Sequence, residues 1–353
     1  MRRSRPSWIG SLLAVCTLML CMVVPQVSAQ DAAPSIHVST AAGYTKTNTK
    51  FHIFRANTSA GRAASRQFGI ASQNVKLQAR SIGLGVPPVP APGFYPSDLD
   101  FFGGQVVTQM SSHAVFVNAS SCGGVASCWG NPEKFLQDLG KSGLIHVTDQ
   151  YTGTFGQYGV GQHVNANATP TTNPNGLTVI DQDALVTIAH DAAVALGIPG
   201  GYNHELHIFL PKGIDTCFPG DTVCYSPDDP NTFAFCAYHG SIDFGDIGHV
   251  LLSVEPYQNV PGCQSAPPNP NGMLADSTNS VLSHETIETI TDPDGDAWIA
   301  NNSLIASGAE IGDLCEPIGN TNAQFLDSYL NLNGHPYELQ LEYSNRFHAC
   351  SPR

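Results

Sequence analysis

Eight cysteines follow the first 29 residues of this chain: Cys122, Cys128, Cys217, Cys224, Cys236, Cys263, Cys315 and Cys350. The stretch before them carries Arg2, Arg3 and Arg5, an apolar run from Ile9 to Val24, and the small-residue site Val27-Ser28-Ala29 ahead of Gln30. That layout reads as a secretory signal peptide spanning residues 1–29, with which Cys16 and Cys21 are expected to leave; an uncleaved anchor is the alternative reading. An even cysteine set in an exported chain reads as a disulfide framework, so the fold must bring these positions together in pairs. Cys122/Cys128 and Cys217/Cys224 would close small loops; of the three ways to pair the other four, Cys236/Cys263 and Cys315/Cys350 is the one adopted as a guess. A zinc-thiolate cluster is the rival reading, but no Cys-x-x-Cys spacing occurs. The leader's apolar run is short for a membrane span, and no other segment could cross a bilayer. The expected location is therefore secreted or extracellular, in a periplasm or at a cell surface, without stable membrane insertion.

Charge excludes one class of partner. Without the leader's three arginines, 12 basic residues face 29 acidic ones, a net of 12 − 29 = −17. Nothing here would neutralise phosphates, so nucleic acid is excluded.

Residues 30–93 are rich in Ala, Ser, Thr, Asn and Gln and close on the proline run from Val86 to Pro92. They read as a flexible N-terminal segment with a stiff linker, a candidate propeptide, holding one expected strand at Lys50 to Arg55. The globular domain is placed at 94–353. Strand pieces are expected at Gln105 to Val107, Ala114 to Asn118, Glu205 to Leu210 and His249 to Val254. Asn131-Pro132-Glu133 starts a helix that stops at Gly140. Ala184, Leu185, Ile188, Ala192 and Leu196 form one stripe of a second helix, ended by Gly197. Asn333-Gly334, flanked by Tyr329 to Leu332 and Tyr337 to Tyr343, marks a terminal hairpin.

The chemistry concentrates in Ser283-His-Glu-Thr-Ile-Glu288, on a third helix expected from Asp276 or Ser277 to Thr291 and stopped by Pro293. Residues four apart share a helix face, so His284 and Glu288 project together as metal ligands, and Glu285 is placed to activate a water. This is metallopeptidase spacing with glutamate in place of the second histidine. Four of the chain's nine glutamates, with Asp292, Asp294, Asp296 and Asp313, fall between residues 285 and 316, which favours a bound cation. Asp313 or Glu310 is the preferred third ligand; Asp292 at the helix end and Asp294 are alternatives. Zinc is the expected cofactor, although glutamate for histidine makes the site harder. A second reading takes Asp292-Pro-Asp-Gly-Asp296 as a calcium loop and His284 as a core histidine. His204 and His207 fall on opposite faces of a strand and so make no zinc pair. His190-Asp191 reads as a surface pair, and His239, beside Cys236, is a candidate for a place near the cleft.

The fold class expected is α/β or α+β: one zincin-like domain with a mixed sheet and a few helices, stapled by disulfides and preceded by the low-complexity segment. Phe235-Cys-Ala-Tyr-His-Gly-Ser241, Ser283-His-Glu with Glu288, Thr291-Asp-Pro293, Trp298, Glu310-Ile-Gly-Asp-Leu-Cys315 and Glu342-Tyr-Ser-Asn345 with Cys350 carry a resemblance. Over most of residues 94–353 the chain resembles a group of uncharacterised secreted bacterial proteins and, more distantly, the plant EXORDIUM or phosphate-induced family. That resemblance implies association with cell-wall material and kinship among secreted proteins. Some plant members lack the His-Glu pair that this chain keeps at His284 and Glu285. Two functions follow: a metal-dependent hydrolase acting on a peptide or protein substrate, or a non-catalytic wall-associated protein with a structural calcium site.

Overall fold

A computed structural model describes residues 33–38, 44–61, 98–300, 309–315 and 327–353. Eight strands form one mixed sheet: β1 (Ser35–His37), β2 (Lys46–Arg55), β3 (Gln109–Val117), β4 (Gln157–Val160), β5 (Val164–Asn167), β6 (His204–Phe209), β7 (Phe235–Phe244) and β8 (Gly248–Glu255). Their spatial order is β1-β5-β3-β6-β8-β7-β2, with β4 also paired to β3. The ladders from β1 to β8 are parallel, and β7 runs antiparallel to both β8 and β2. The domain is α+β.

Alternation along the central strands assigns their two faces. Val115 and Val117 on β3, Leu206 and Ile208 on β6, and Val250, Leu252 and Val254 on β8 pack beneath helix α2 (Gln182–Leu196), reached in the chain after α1 (Pro132–Leu139). The stripe that marks α2 in the sequence, Leu185, Ile188 and Ala192, is the face it buries. Each fully buried Leu or Ile contributes about 1.5–3 kcal/mol. Asp181 caps α2 by accepting the N–H of Ala184, and Gly197 ends it at φ 62°. In the same way Asn131 caps α1, with Pro132 in its first turn.

The opposite sheet face is polar where it meets helix α3 (Met273–Thr291). Glu205 and His207 of β6, Ser253 and Glu255 of β8 and His239 of β7 are all buried. Every residue of α3 from Asp276 onward is buried, between the sheet and an outer layer that includes α1 and the terminal hairpin β9 (Asp327–Leu332) and β10 (His335–Gln340). Several of its hydroxyls are satisfied within the helix: Thr278, Ser283 and Thr286 donate to Leu274, Ser280 and Leu282 carbonyls. The hairpin turns through Asn333 and Gly334, both at positive φ, as a tight turn of this type requires. A last hairpin, β11 (Glu342–Ser344) and β12 (Ala349–Ser351), closes the chain. The cysteines pair as 122–128, 217–224, 236–263 and 315–350, the expected set. Among the described residues no helix is long and apolar enough to cross a membrane.

The structure departs from the sequence reading in several places. Two stretches of the N-terminal segment belong to the sheet: β1 pairs with β5, β2 pairs along most of β7, and the compact unit starts at Ala33 rather than Phe94. Periodicity is weak there because the first half of β2 is an exposed edge, while its second half buries Ile53 and Phe54. Residues 105–107 are not a strand; the Val107 N–H instead bonds the Ile290 carbonyl at the end of α3. Helix α3 begins at Met273, earlier than expected, and the strand expected over Tyr337 to Tyr343 breaks at Leu341. The leader and the proline run at 86–92 lie outside the described residues.

Candidate metal centre

Helix α3 presents two adjacent rows. His284 and Glu288, one turn apart, face the segment 309–315, with His284 Nε2 3.0 Å from Glu288 Oε2. Glu285 and Thr289 face the sheet, where Glu285 Oε2 meets His239 Nδ1 at 3.0 Å and Thr289 donates to Glu205. His284, Glu285 and Glu288 are fully buried.

The 309–315 segment is held against α3 by three devices. Gly312 and Asp313 donate their backbone N–H groups to Glu288 Oε1, each at 3.2 Å. Gln340 donates to the Gly312 carbonyl, and the Cys315–Cys350 disulfide ties the segment to the last hairpin. Gly312 is required for close approach, since a Cβ there would fall 2.3 Å from His284 Nδ1. These contacts bring Asp313 and Glu310 to the helix motif. His284, Glu288 and Asp313 offer ligand atoms all within 4.8 Å of one another.

Two more histidines enter from the sheet. His239 of β7 and His52 of β2 are directly paired across the antiparallel ladder, so both point to the α3 side. Their rings stack at 5.8 Å. His52 Nε2 lies 2.8 Å from Asp313 Oδ2 and its Nδ1 3.5 Å from Glu310 Oε1, while His239 Nε2 lies 3.4 Å from Glu310 Oε2. His239 therefore does reach the site. His52 is a site residue the sequence reading missed; its only sequence signal is a polar residue inside the apolar run Phe51-His-Ile-Phe54. Two further groups of ligand atoms form within the same 4.8 Å limit, His52 with Glu288 and Glu310, and His239 with Glu285 and Glu288.

The electrostatics of these side chains are dominated by burial and mutual charge. Burial opposes a charge on His284, yet Glu288, Glu342 and Asp313 outweigh it and push its pKa up to about 10. Burial likewise opposes His52, and Asp313 with Glu288 raises it to about 9. His239 moves the other way, held neutral by burial and by the charges of His52 and His284. Burial raises Asp313, but His52 and His284 pull it down to about 2. Glu285 and Glu310 are held far above the usual carboxylate range, first by burial and then by neighbouring carboxylates.

Asp292 stands outside the three ligand groups. Its Oδ1 accepts the N–H groups of Asp296 and Ala297, fixing the turn after α3, and its other side is set against Glu310. Among the described residues no ligand group brings Asp292, Asp294 and Asp296 together. Asp294 accepts from Ser241 and Tyr202, and Asp296 lies more than a third exposed near Lys50. His207 and His204 do fall on opposite faces: His207 Nδ1 is 2.8 Å from Ser253 Oγ under α3, while His204 meets His113. His190 pairs with Asp191 and also with Asp246.

No family model, no curated protein and no solved structure matches this chain.

Proposed function

We propose that this protein is a secreted metal-dependent hydrolase, zinc metallopeptidase-like, in which His284, Glu288 and Asp313 hold the cation and Glu285 acts as general base on water. The observation that carries the reading is the convergence of those three ligands beside a buried glutamate with one free oxygen. Glu285 Oε2 is engaged by His239, and Glu285 Oε1 has no hydrogen-bond partner among the described residues. A cation in this set would polarise a carbonyl and make water more acidic. His239 orients the glutamate, and the backbone N–H groups of Gly312 and Asp313 fix Glu288 so that its Oε2 is presented beside His284. Approach is from the side of His52 and Asp313, whose side chains keep 21% and 14% of their surface exposed while the rest of the centre keeps at most 1%. Peptide bonds as the substrate follow from the His-Glu-x-x-Glu spacing.

A second reading rests on the same burial. A closed, carboxylate-rich centre also suits a structural cation such as calcium in a wall-associated, non-catalytic protein of the kind the EXORDIUM resemblance suggests. Glu285→Gln separates the two. As an enzyme, the variant keeps its metal and its fold and loses two to four orders of magnitude in turnover of a peptide substrate, in keeping with the roughly 10²–10⁴-fold contribution of a general base. If the variant turns over a responsive substrate as fast as the unmodified protein, the catalytic assignment fails. If the melting temperature rises with calcium and not with zinc, the scaffold reading stands.

A further inference from the structure

Glu288 belongs to all three ligand groups, and Asp313 shares one with His284 while also lying 2.8 Å from His52. On one side both carboxylates share a group with His284. On the other, Asp313 Oδ2 is 2.8 Å from His52 Nε2, and Glu288 groups with His52 and Glu310. Two carboxylates within reach of one histidine on a helix and another on a strand have the connectivity of bridging ligands.

Charge points the same way. Glu285, Glu288, Asp292, Glu310 and Glu342 are fully buried and Asp313 nearly so, six carboxylates against His52, His239 and His284. A cation bound by His284, Glu288 and Asp313 leaves the buried carboxyls of Asp292, Glu310 and Glu342 outside its ligand set, and a fold that buries so many carboxyls together does so at a high desolvation cost unless a cation engages them.

Glu310 supplies the independent observation. It is fully buried, and its oxygens find no N–H or hydroxyl donor among the described residues, although they lie 3.5 Å from His52 and 3.4 Å from His239; the one group set against it is another carboxylate, Asp292. Asp292 and Glu310 share a proton when the centre holds no cation, and a cation bound by Glu310 would take that proton's place.

We propose that the centre is dinuclear: His52 and Glu310 bind a second divalent cation of the zinc or manganese class, with Glu288 and Asp313 bridging it to the first. Carboxylate-bridged pairs of this kind sit about 3.5–4 Å apart and clamp a substrate oxygen between them. The second cation lies on the exposed side, where His52 and Asp313 reach solvent. The proposal rests on the assignment of His284, Glu288 and Asp313 to the first cation, and its test is stoichiometry, independent of turnover.

The full-length mature protein, stripped with chelator, is titrated with zinc and in parallel with manganese. Bound metal is measured by elemental analysis, and coupling between the ions by electron paramagnetic resonance of the manganese form. The expected result is two equivalents with a coupled spectrum for the unmodified protein. One equivalent with an isolated-ion spectrum is expected for His52→Ala and for Glu310→Gln. Glu310→Gln covers the case in which His52→Ala loosens strand β2. One equivalent in the unmodified protein, whether retained or lost in His52→Ala, overturns the second cation and leaves the hydrolytic reading standing. No bound metal in the unmodified protein overturns both.

Discussion

Replacing Gly312 with alanine should unseat His284 without removing any charge or any ligand. The new Cβ would lie 2.3 Å from His284 Nδ1 and 2.5 Å from Cε1, where ordinary contact needs at least about 3.4 Å. The imidazole must therefore withdraw by about 1 Å, and it is fully buried with the Phe54 ring centroid 4.1 Å away. Gly312 is not at positive φ, so the methyl acts through this contact and not through backbone strain. Overpacking of this size costs about 1–3 kcal/mol. Because the moving group is a proposed ligand 3.0 Å from Glu288, most of that cost should appear as lost metal affinity, about 10- to 100-fold. Competition with a zinc indicator measures this directly. Gly159→Ala is the control, since a Cβ there meets nothing within 4 Å and its φ is ordinary. A Gly312→Ala protein that binds zinc as tightly as the unmodified chain would refute the packing of 309–315 against His284.

Two other perturbations test the surrounding fold. His207 is fully buried, and burial, followed by the charge of His113, lowers its pKa from 6.5 to about 3. The unfolded chain takes up this proton below about pH 6.5 while the folded protein refuses it until about pH 3. Its contribution is thus present above pH 6.5 and lost on acidification, with a ceiling of about 5 kcal/mol. Urea melts between pH 7 and pH 4 should show a shallower fall for His207→Gln, and parallel curves would remove His207 from the account. A chain starting at residue 98 lacks β1 and β2, so it loses His52 and bares the edge of β7. It should aggregate and melt well below the full-length protein, and equal melting temperatures would contradict the placement of β2 in the sheet.

His284, Glu285 and Glu288 were legible in the chain because helical spacing is a local property: residues four apart share a face whatever the helix packs against. The caps at Asn131 and Asp181, the stop at Gly197 and the Asn333-Gly334 turn are local in the same sense. The two short cysteine pairs followed from nearness in sequence, whereas the other four cysteines allow three pairings and only the fold selects 236–263 and 315–350. The third ligand could not be chosen that way, because Glu310 and Asp313 are both plausible by spacing. The fold brings both to the helix, Asp313 into a group with His284 and Glu288 and Glu310 into one with His52 and Glu288, through two backbone N–H groups that grip Glu288 and through Gly312, which lets the segment close on His284. His52 and His239 are 187 residues apart in the chain and meet only through the register of β2 on β7. Neither strand's own pattern states that register. The sequence by itself therefore determined which residues could act from one helix; strand pairing and burial decided which distant groups join them, because a ligand shell is completed by contacts in space and not by neighbours along the chain.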